Sequence, residues 1–381
     1  MVGTVSLDEI VTPAPLVDGC RLVMNIEDMA DRARRLGVVL RPHAKTHKSP
    51  AIAALQREQG AVGLTVATVA EAEVFAAEGV EELLLSSPPV GEWRLDRVVA
   101  LAKRVRVRVT VDNVEVVAAL DRACRRGGAG IGYLWELDSG VGRFGTQPGA
   151  AAVEQIERAV ARTSHASFDG LLTFGGHAYA ATDRQGIIAA ARDERRAIDQ
   201  TADALGERGI EVRIASVGST PTAHVMEGDE AITEIRPGNY VFYDATQVAL
   251  GIVPLDRCAF SVLATVTSRP APDRLILDSG SKALAAERLT VLSPGFGLIE
   301  GHPELRVERL YEEQAIVYSD VPCDIPVGGR LRVIPNHACA AVNLHSRLLV
   351  VEEEAVIDEW PVAAREWREI EAERRPAWST G

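Results

Sequence analysis

Cysteine, basic charge and long hydrophobic runs are all scarce in this 381-residue sequence. The five cysteines are an odd number, and none forms a CxxC pair that would indicate a disulfide framework or a structural zinc site. With 41 basic residues against 54 acidic ones, the net charge is −13, which argues against nucleic acid or an anionic membrane as the main partner. No apolar run approaches the roughly 18 residues of a membrane-spanning helix.

Two further motifs are missing. The start, Met1-Val-Gly-Thr4, has neither the basic nor the apolar region of a signal peptide, so a cytoplasmic protein with free thiols is expected. The first predicted strand is not followed by the GxGxxG turn of a dinucleotide-binding sheet, which argues against an open doubly wound fold. A hydrophobic content of 47% with 25% charged residues is typical of a plain globular protein.

Eight short apolar runs alternate with Ala- and Glu-rich segments of helical spacing in the first two thirds of the chain. The runs cover residues 36–41, 63–67, 82–86, 105–111, 131–137, 167–174, 211–217 and 232–236. Eight strands that alternate with helices predict a (β/α)8 TIM barrel over residues 26–245. Residues 1–25 are expected to contain an extended piece near Cys20–Met24 and to join a second domain. A helix is expected to begin near residue 25.

The second predicted domain covers residues 246–381 and is rich in β-branched runs. Gly and Pro turns separate these runs, which predicts an antiparallel β domain. The runs are Cys258–Ser268, Arg274–Ser279, Glu313–Tyr318, Arg330–Ile334 and Leu348–Glu352. The charged tail Glu369–Arg375 is expected to form a surface helix.

The octapeptide Arg41-Pro-His-Ala-Lys-Thr-His-Lys48 follows the first predicted strand. Pro42 is expected to end regular strand pairing, which puts Lys45 in the loop between strand and helix. In a barrel, such loops form the ligand-binding edge. Lysine forms Schiff bases when burial or neighbouring cations lower its pKa, and this segment has several basic neighbours. The alternative interpretation is a solvated basic loop.

Two turns are candidates for phosphate binding, because phosphate sites in barrels favour the loops after strands 7 and 8. The seventh run ends in Val217-Gly-Ser-Thr-Pro-Thr222 and the eighth in Arg236-Pro-Gly-Asn-Tyr240. Backbone N–H groups and hydroxyls in such turns can surround a phosphate. The candidate contacts are Gly218, Ser219, Thr220, Gly238, Asn239 and Tyr240. The alternative is that the Gly-Ser-Thr turn is an ordinary helix cap.

Three more polar residues are expected at the same edge. The fifth run ends in a glycine-rich loop that carries Arg143, which is suited to an anionic oxygen, although a plain surface arginine is the alternative. The sixth run ends in Phe174-Gly-Gly-His-Ala-Tyr179, which puts His177 and Tyr179 within reach of the barrel mouth. They are candidate cofactor or substrate contacts without separate roles.

His337 and Cys339, in Pro335-Asn-His-Ala-Cys339, are a candidate metal pair in the β domain. Residues two apart on an extended chain point the same way, so both side chains are expected to face one site. Imidazole with thiolate suits zinc, and water or substrate would complete the coordination, as in a catalytic zinc site. The alternative is a buried free cysteine beside a hydrogen-bonded histidine.

Taken together, these segments resemble the D-serine dehydratase and D-threonine aldolase family of pyridoxal phosphate enzymes, whose fold type III barrel is similar to that of alanine racemase. The resemblance is carried by Arg41–Lys48, Gly218–Thr222, Pro237-Gly-Asn-Tyr-Val-Phe-Tyr-Asp244 and Pro335–Cys339. It implies pyridoxal phosphate as cofactor, with Lys45 as its Schiff-base lysine and the two turns as its phosphate site. It also implies a divalent metal on His337 and Cys339, and a homodimer in which the β domain closes the partner's barrel mouth.

The resemblance implies a lyase that acts on a small D-amino acid with a 3-hydroxyl group. His-x-Cys is similar to the dehydratase pattern, whereas the aldolases have His-x-Asp, and thiolate favours zinc over manganese or magnesium. The expected reaction is D-serine dehydratase-like elimination to a keto acid and ammonia. D-threonine aldolase-like cleavage to glycine and an aldehyde is the first alternative. An alanine-racemase-like enzyme and a non-catalytic cofactor carrier are the others.

Overall fold

The computed structural model describes residues 5–228, 231–293 and 295–365. It begins with two short strands, β1 (Val5–Ser6) and β2 (Ala14–Asp18), which precede the long helix α1 (Gly19–Leu36). The extended piece expected at Cys20–Met24 is therefore wrong, as is a helix start near residue 25. The helix begins earlier because the Asp18 side chain caps it, accepting the N–H of Arg21 at 2.9 Å.

Strands and helices then alternate. In chain order they are β3 (Val39–Leu40), α2 (Pro50–Glu58), β4 (Leu64–Val66), α3 (Val69–Ala77), β5 (Glu82–Leu85), α4 (Glu92–Ala102), β6 (Arg106–Val111), α5 (Val114–Gly127), β7 (Ile131–Glu136), α6 (Ala150–Val160), β8 (Ala166–Leu172), α7 (Arg184–Gly206), β9 (Ile214–Val217), α8 (Thr220–Val225), β10 (Glu234–Ile235) and α9 (Ala245–Ala249). Seven of the eight predicted apolar runs contain one of these strands in full, and the sixth run, 167–174, covers all of β8 except its first residue, Ala166.

These eight strands form one parallel sheet in the order β3-β10-β9-β8-β7-β6-β5-β4. The ends of this order also meet, because His43 forms a parallel bridge with Thr65, and the Thr65 N–H donates to the Pro42 carbonyl at 2.8 Å. The predicted TIM barrel is thus confirmed. Pairing does not end at Pro42, as was expected, because the neighbour uses the proline carbonyl and needs no N–H there.

The barrel interior contains a line of buried polar groups as well as apolar side chains. Arg41 Nε donates to Glu234 Oε2 at 2.7 Å, and the other oxygen of Glu234 accepts from the Ser216 hydroxyl at 2.6 Å. Ser216 in turn accepts from Arg236 Nη1 at 2.8 Å. Because Arg236 directly follows β10, this line ends at the C-terminal edge of the barrel.

The C-terminal part forms a second sheet, as predicted. Its elements are β11 (Phe260–Ala271), β12 (Arg274–Leu277), α10 (Ser281–Leu284), β13 (Gly297–Ile299), β14 (Leu305–Leu310), β15 (Ala315–Ser319), β16 (Arg330–Pro335), α11 (Ala338–Val342), β17 (Arg347–Glu352) and β18 (Ala355–Pro361). Strand pairs are antiparallel except β2 with β17. Strand β1 pairs with β18, and β2 lies between β17 and β11, so the N-terminal segment is part of this sheet.

Strands β13, β14 and β18 were not predicted from the sequence. None of the helices in the described part of the chain combines the length and apolar character that a membrane span requires. All five cysteines are free thiols. The predicted tail helix, Glu369–Arg375, lies outside the described residues.

Candidate active site

Lys45 lies in a 3-10 turn, Ala44–Thr46, just after β3 at the C-terminal edge of the barrel. Its Nζ is 5.6 Å from the centroid of the Phe174 ring. Removal from water lowers the pKa of Lys45, an effect that the nearby Cys339 opposes and the Arg143 guanidinium reinforces. A lysine with a lowered pKa is partly a neutral amine, which is the form needed for nucleophilic and proton-transfer chemistry.

The other basic residues of the octapeptide have different surroundings. His43 Nδ1 accepts the backbone N–H of Lys45 at 3.4 Å, and removal from water, with the charge of Lys45, lowers the pKa of His43 well below its ordinary value. Lys48 faces elsewhere: its Nζ donates to Asn343 Oδ1 at 2.9 Å and lies 3.3 Å from Glu71 Oε1. Lys45 is therefore the lysine of this segment that faces Phe174 and Cys339.

The turn after β9 is fixed by hydrogen bonds to neighbouring parts of the barrel. Gly218 has a φ of 102°, which favours glycine, and its N–H donates to Glu194 Oε1 at 2.9 Å. The Ser219 hydroxyl caps α8, accepting the N–H of Thr222 at 3.4 Å and donating to the carbonyl of Gly175 at 3.1 Å. In this structure the Ser219 side chain thus has the capping role that was the alternative to a phosphate contact.

The turn after β10 packs against the first one. The Thr220 hydroxyl accepts the N–H of Tyr240 at 3.2 Å. The Tyr240 side chain points into the core, where its hydroxyl accepts from Gln56 Nε2 at 3.0 Å. A Cβ on Gly238 would lie 2.8 Å from the carbonyl oxygen of His43, so only glycine fits this close approach to the lysine segment. The two turns and the octapeptide therefore meet at one point.

Several donors at this point have no partner within the described residues. The backbone N–H groups of Thr220, Gly238 and Asn239 donate to no described acceptor. The buried Nε of Arg236 is a further unpaired donor, whereas the Asn239 side-chain oxygen is an unpaired acceptor. Unpaired buried donors are rare in folded proteins, and N–H groups at a helix start attract phosphate. The site thus fits a phosphorylated cofactor.

Arg143, His177 and Tyr179 lie around the same mouth. Arg143 Cζ is 5.0 Å from the centroid of the Phe174 ring, the same ring that Lys45 contacts. Both ring nitrogens of His177 lack a hydrogen bond, and its Nε2 is 3.6 Å from an Asp193 carboxylate oxygen. The Tyr179 hydroxyl accepts from Gln247 at 3.4 Å, and removal from water raises its pKa, with Cys339 and Asp244 adding to the effect.

His337 and Cys339 lie beside the lysine segment. Cys339 Sγ is 3.1 Å from the hydroxyl of Thr46, the residue after Lys45. Removal from water acts to raise the pKa of Cys339, but His337, Lys45 and the Thr46 hydroxyl together outweigh it, and the pKa is lowered. The pKa of His337 is raised to about 10: removal from water acts to lower it, but Cys339, Glu287 and Asp244 together outweigh this effect.

The backbone at this pair is not extended, as the sequence argument assumed. His337 is the N-cap of α11, and Cys339 lies in its first turn, where the two side chains still interact directly. A carboxylate oxygen of Glu287 contacts Nδ1 of His337. Among the described residues, no group of three or more His, Cys, Asp or Glu side chains is arranged so that it could hold a metal ion. Imidazole with thiolate therefore fits a zinc site with open positions and not a closed structural site.

Asp244 connects the turn after β10 with the His337–Cys339 segment through hydrogen bonds. One of its carboxylate oxygens accepts the N–H of Ala338, between the two candidate ligands, at 2.9 Å, and the amide of Asn239 at 2.5 Å. Its other oxygen accepts the N–H of Gln247 at 3.1 Å. The loop after β10 thus holds both the phosphate-side turn and the His337–Cys339 segment.

Sequence reasoning missed several residues that surround the site. Phe174, Thr46 and Glu194 were not singled out, and neither were Glu136 and Arg236. Glu136 ends β7, and removal from water raises its pKa to about 7. The position of Glu136 and Arg236 at strand ends is a signal that could have identified both, because barrel sites are built there.

Comparison with known proteins covers nearly the whole chain. A family model described as "Alanine racemase, N-terminal domain" matches residues 17–246, and one described as "Putative serine dehydratase domain" matches residues 259–351. D-threonine aldolase of Arthrobacter sp is 33% identical over 93% of this chain and 92% of its own length. D-threo-3-hydroxyaspartate dehydratase of Delftia sp. (strain HT23) is 34% identical over 86% and 91%. D-serine dehydratase of Dictyostelium discoideum is 28% identical over 89% and 93%.

Solved structures agree with these relatives. The D-threonine aldolase of Filomicrobium marinum has a TM-score of 0.86 at 30% identity, covering 95% of this chain and 97% of the other. A cysteine-to-alanine mutant of D-threo-3-hydroxyaspartate dehydratase, in its metal-free form, has a TM-score of 0.87 at 32% identity, with coverages of 94% and 98%. A histidine-to-alanine mutant of the same enzyme has a TM-score of 0.86 at 31% identity, with coverages of 94% and 96%.

Proposed function

Because this chain belongs to the family of pyridoxal phosphate-dependent lyases that includes D-threonine aldolase and D-serine dehydratase, we propose that it removes water from a 3-hydroxy-D-amino acid such as D-serine. The α-proton and the β-hydroxyl leave together as water. The resulting enamine hydrolyses to a keto acid and ammonia. The observation that carries this proposal is the pair His337 and Cys339, which lies against Thr46 beside Lys45.

Pyridoxal phosphate would be held by Lys45 and by the unpaired N–H groups of Thr220, Gly238 and Asn239. Arg236, whose Nε is unpaired, and Arg143 are the cations available to its ring and to the substrate carboxylate. When bound, the cofactor withdraws electrons from the substrate Cα, and the divalent metal stabilises the departing hydroxide. His177 and Tyr179 are proposed as further contacts at the mouth.

The chain's own residues perform the proton transfer. Lys45 accepts the α-proton at Nζ, because its lowered pKa increases the share of the neutral amine, which is the form that acts as a base. The Phe174 ring lies beside this amine and shields one side of it from water. The roles of the thiolate of Cys339 and the imidazole of His337 are to hold the metal next to the β-carbon.

A metal at His337 and Cys339 is supported by the related dehydratase. The histidine and the cysteine that were replaced in its two mutants are two residues apart, as His337 and Cys339 are, and the cysteine mutant is described as metal-free. We propose zinc, because a thiolate ligand favours it over manganese or magnesium. The contact between Glu287 and His337 is the kind of outer partner that orients a metal-bound imidazole.

Retro-aldol cleavage is the second candidate. It is favoured by the D-threonine aldolase relative, because this relative is 33% identical to the chain and the dehydratase relative is 34% identical. In this reaction a base removes the proton of the β-hydroxyl, and the Cα–Cβ bond breaks to give glycine and an aldehyde. The His-x-Cys pair supports the dehydratase over the aldolase.

We further propose a homodimer whose β domain covers the partner's barrel mouth. Two exposed aromatic side chains support this proposal: Trp93, in the first turn of α4, is 46% exposed, and Phe144, in the loop after β7, is 40% exposed. Large exposed aromatic side chains are typical of interfaces. Sedimentation at micromolar concentration tests it: a dimer is expected, and a monomer with full activity would refute it.

The function is tested by incubating purified enzyme, loaded with cofactor and zinc, with a panel of D- and L-amino acids. Keto acid and ammonia are expected from D-serine or D-3-hydroxyaspartate, and chelation is expected to stop their release. Glycine with an aldehyde from D-threonine would identify the aldolase. An L-enantiomer formed without keto acid or aldehyde would refute a lyase.

A further inference from the structure

Glu194 is a buried carboxyl group that the proposed reaction does not use. It lies in α7, and its side chain is fully shielded from solvent. Its Oε1 accepts the N–H of Gly218 at 2.9 Å and the hydroxyl of Thr173 at 3.2 Å. Its Oε2 has no hydrogen-bond partner within the described residues. A Cβ on Gly175 would collide with this oxygen, so the backbone of Gly175 packs directly against the carboxyl group.

Among the described groups around this carboxyl group Arg236 is the cation, and it favours a negative charge there without forming a hydrogen bond to it. Three elements face it: the end of β8 with Thr173, the turn from Gly218 to Thr222, and the end of β10 with Arg236. Arg236 is the charged group among them, and its guanidinium donates instead to Ser216 and to the carbonyl of Thr173, at 2.8 and 2.5 Å. A buried charge without an ion-pair partner is strongly disfavoured.

The position of Glu194 adds a second constraint, which rests on the proposed function. The turn that it holds is the one proposed for the cofactor phosphate, which carries negative charge. An ionised carboxylate behind the same turn would repel that phosphate in a medium where charge interactions are strong. A neutral carboxylic acid would accept the same hydrogen bonds from Gly218 and Thr173 without this repulsion.

We propose that Glu194 is a positioning residue that works as a neutral carboxylic acid. It fixes the Gly218 turn through its hydrogen bonds and keeps negative charge away from the phosphate. Removal from water, the dominant influence on Glu194, raises its pKa and agrees with this assignment.

The test compares the full-length parent with Glu194→Gln and Glu194→Ala, with the exposed Glu207→Gln as control. Apoprotein is titrated with pyridoxal phosphate and, separately, with pyridoxal, which lacks the phosphate. Glutamine has the shape and the acceptor oxygen of the neutral acid, so Glu194→Gln should bind pyridoxal phosphate about as tightly as the parent. Glu194→Ala loses the acceptor and should bind it about 10-fold more weakly or worse, with little change for pyridoxal.

The pH dependence supplies a readout that a merely structural role would not change. The pKa of Glu194 is raised, so the group is neutral at low pH and becomes charged as the pH increases through its folded-state pKa. The ratio of pyridoxal phosphate affinity in Glu194→Gln to that in the parent should therefore rise with pH. Other titrating groups are shared by both proteins and cancel in this ratio.

Two results would overturn the inference. If Glu194→Gln lost as much affinity as Glu194→Ala, a negative charge would be required and Glu194 would be an ionised partner of Arg236. If pyridoxal and pyridoxal phosphate weakened equally, or the ratio did not change with pH, the residue would not act on the phosphate. Failure of the parent to bind either compound would refute the proposed function itself.

Discussion

Replacing Asp244 by asparagine should weaken metal binding without removing the metal ligands. The Asp244 carboxylate is buried and accepts three hydrogen bonds, from the N–H of Ala338, the N–H of Gln247 and the amide of Asn239. Asparagine is a good N-cap residue and keeps one acceptor oxygen for Gln247 at the start of α9. Its NH2 group would then face two donors, Ala338 N–H and Asn239.

The size of the effect follows from these contacts. Each buried donor left without an acceptor costs about 1–3 kcal/mol, so two of them destabilise the folded protein by roughly 2–6 kcal/mol, and one of the two, the Ala338 N–H, lies in the His337–Cys339 segment. Alanine would leave all three donors without an acceptor. The resulting loss in the free energy of unfolding would approach the whole stability of an ordinary domain, about 5–15 kcal/mol, so asparagine is the better variant. Loss of outer support typically lowers metal affinity about 10- to 100-fold.

The assay is competition for zinc between the purified protein and a chromophoric chelator, with the free energy of unfolding measured in parallel. Asp203→Asn, on the exposed face of α7, is the matched control and should equal the parent. Cofactor absorption before zinc removal reports whether the barrel side is intact. A folded Asp244→Asn protein with parental zinc affinity would refute the idea that Asp244 positions the pair.

Two further substitutions test the cofactor side. Lys45→Ala should abolish the visible absorption of the bound cofactor and all lyase activity. Lys103→Ala, at an exposed lysine, is the control and should change neither. Absorption that is retained in Lys45→Ala would show that another lysine binds the cofactor. Gly238→Ala should weaken cofactor retention during dialysis, because its Cβ would lie 2.8 Å from the carbonyl oxygen of His43. Gly206→Ala, which meets no atom within 4 Å, is its control, and equal retention in both variants would argue against close packing at Gly238.

The barrel could be predicted from the sequence because parallel strands buried on both faces appear as continuous apolar runs. The β domain gave weaker signals. Strand β14 (Leu305–Leu310) and strand β18 (Ala355–Pro361) are partly exposed and carry charged residues, so their runs are broken. The start of α1 was missed because Leu22 and its apolar neighbours fit a strand as well as a helix.

The edge of the candidate site was also predictable, because loops after barrel strands carry the ligand. The sequence does not reveal which polar side chains are buried and hold the loops of the site in place by hydrogen bonds. Glu194 lies in the sequence Arg192-Asp-Glu-Arg-Arg196, which has the pattern of a solvent-exposed helix face, and only the folded barrel buries it. Ser219 is the opposite case: it was expected to contact a ligand, whereas its hydroxyl caps a helix in the structure.

The most direct test of the central proposal is to separate α-proton removal from loss of the β-hydroxyl. Cofactor-loaded enzyme is incubated with D-serine in deuterated water, with zinc bound and after chelation, and both keto acid and deuterium in the unreacted D-serine are measured. We expect chelation to stop keto acid release while deuterium exchange at Cα continues, because Lys45 removes that proton without help from His337 and Cys339. Keto acid release that persists undiminished in metal-free enzyme would contradict a catalytic metal at this pair.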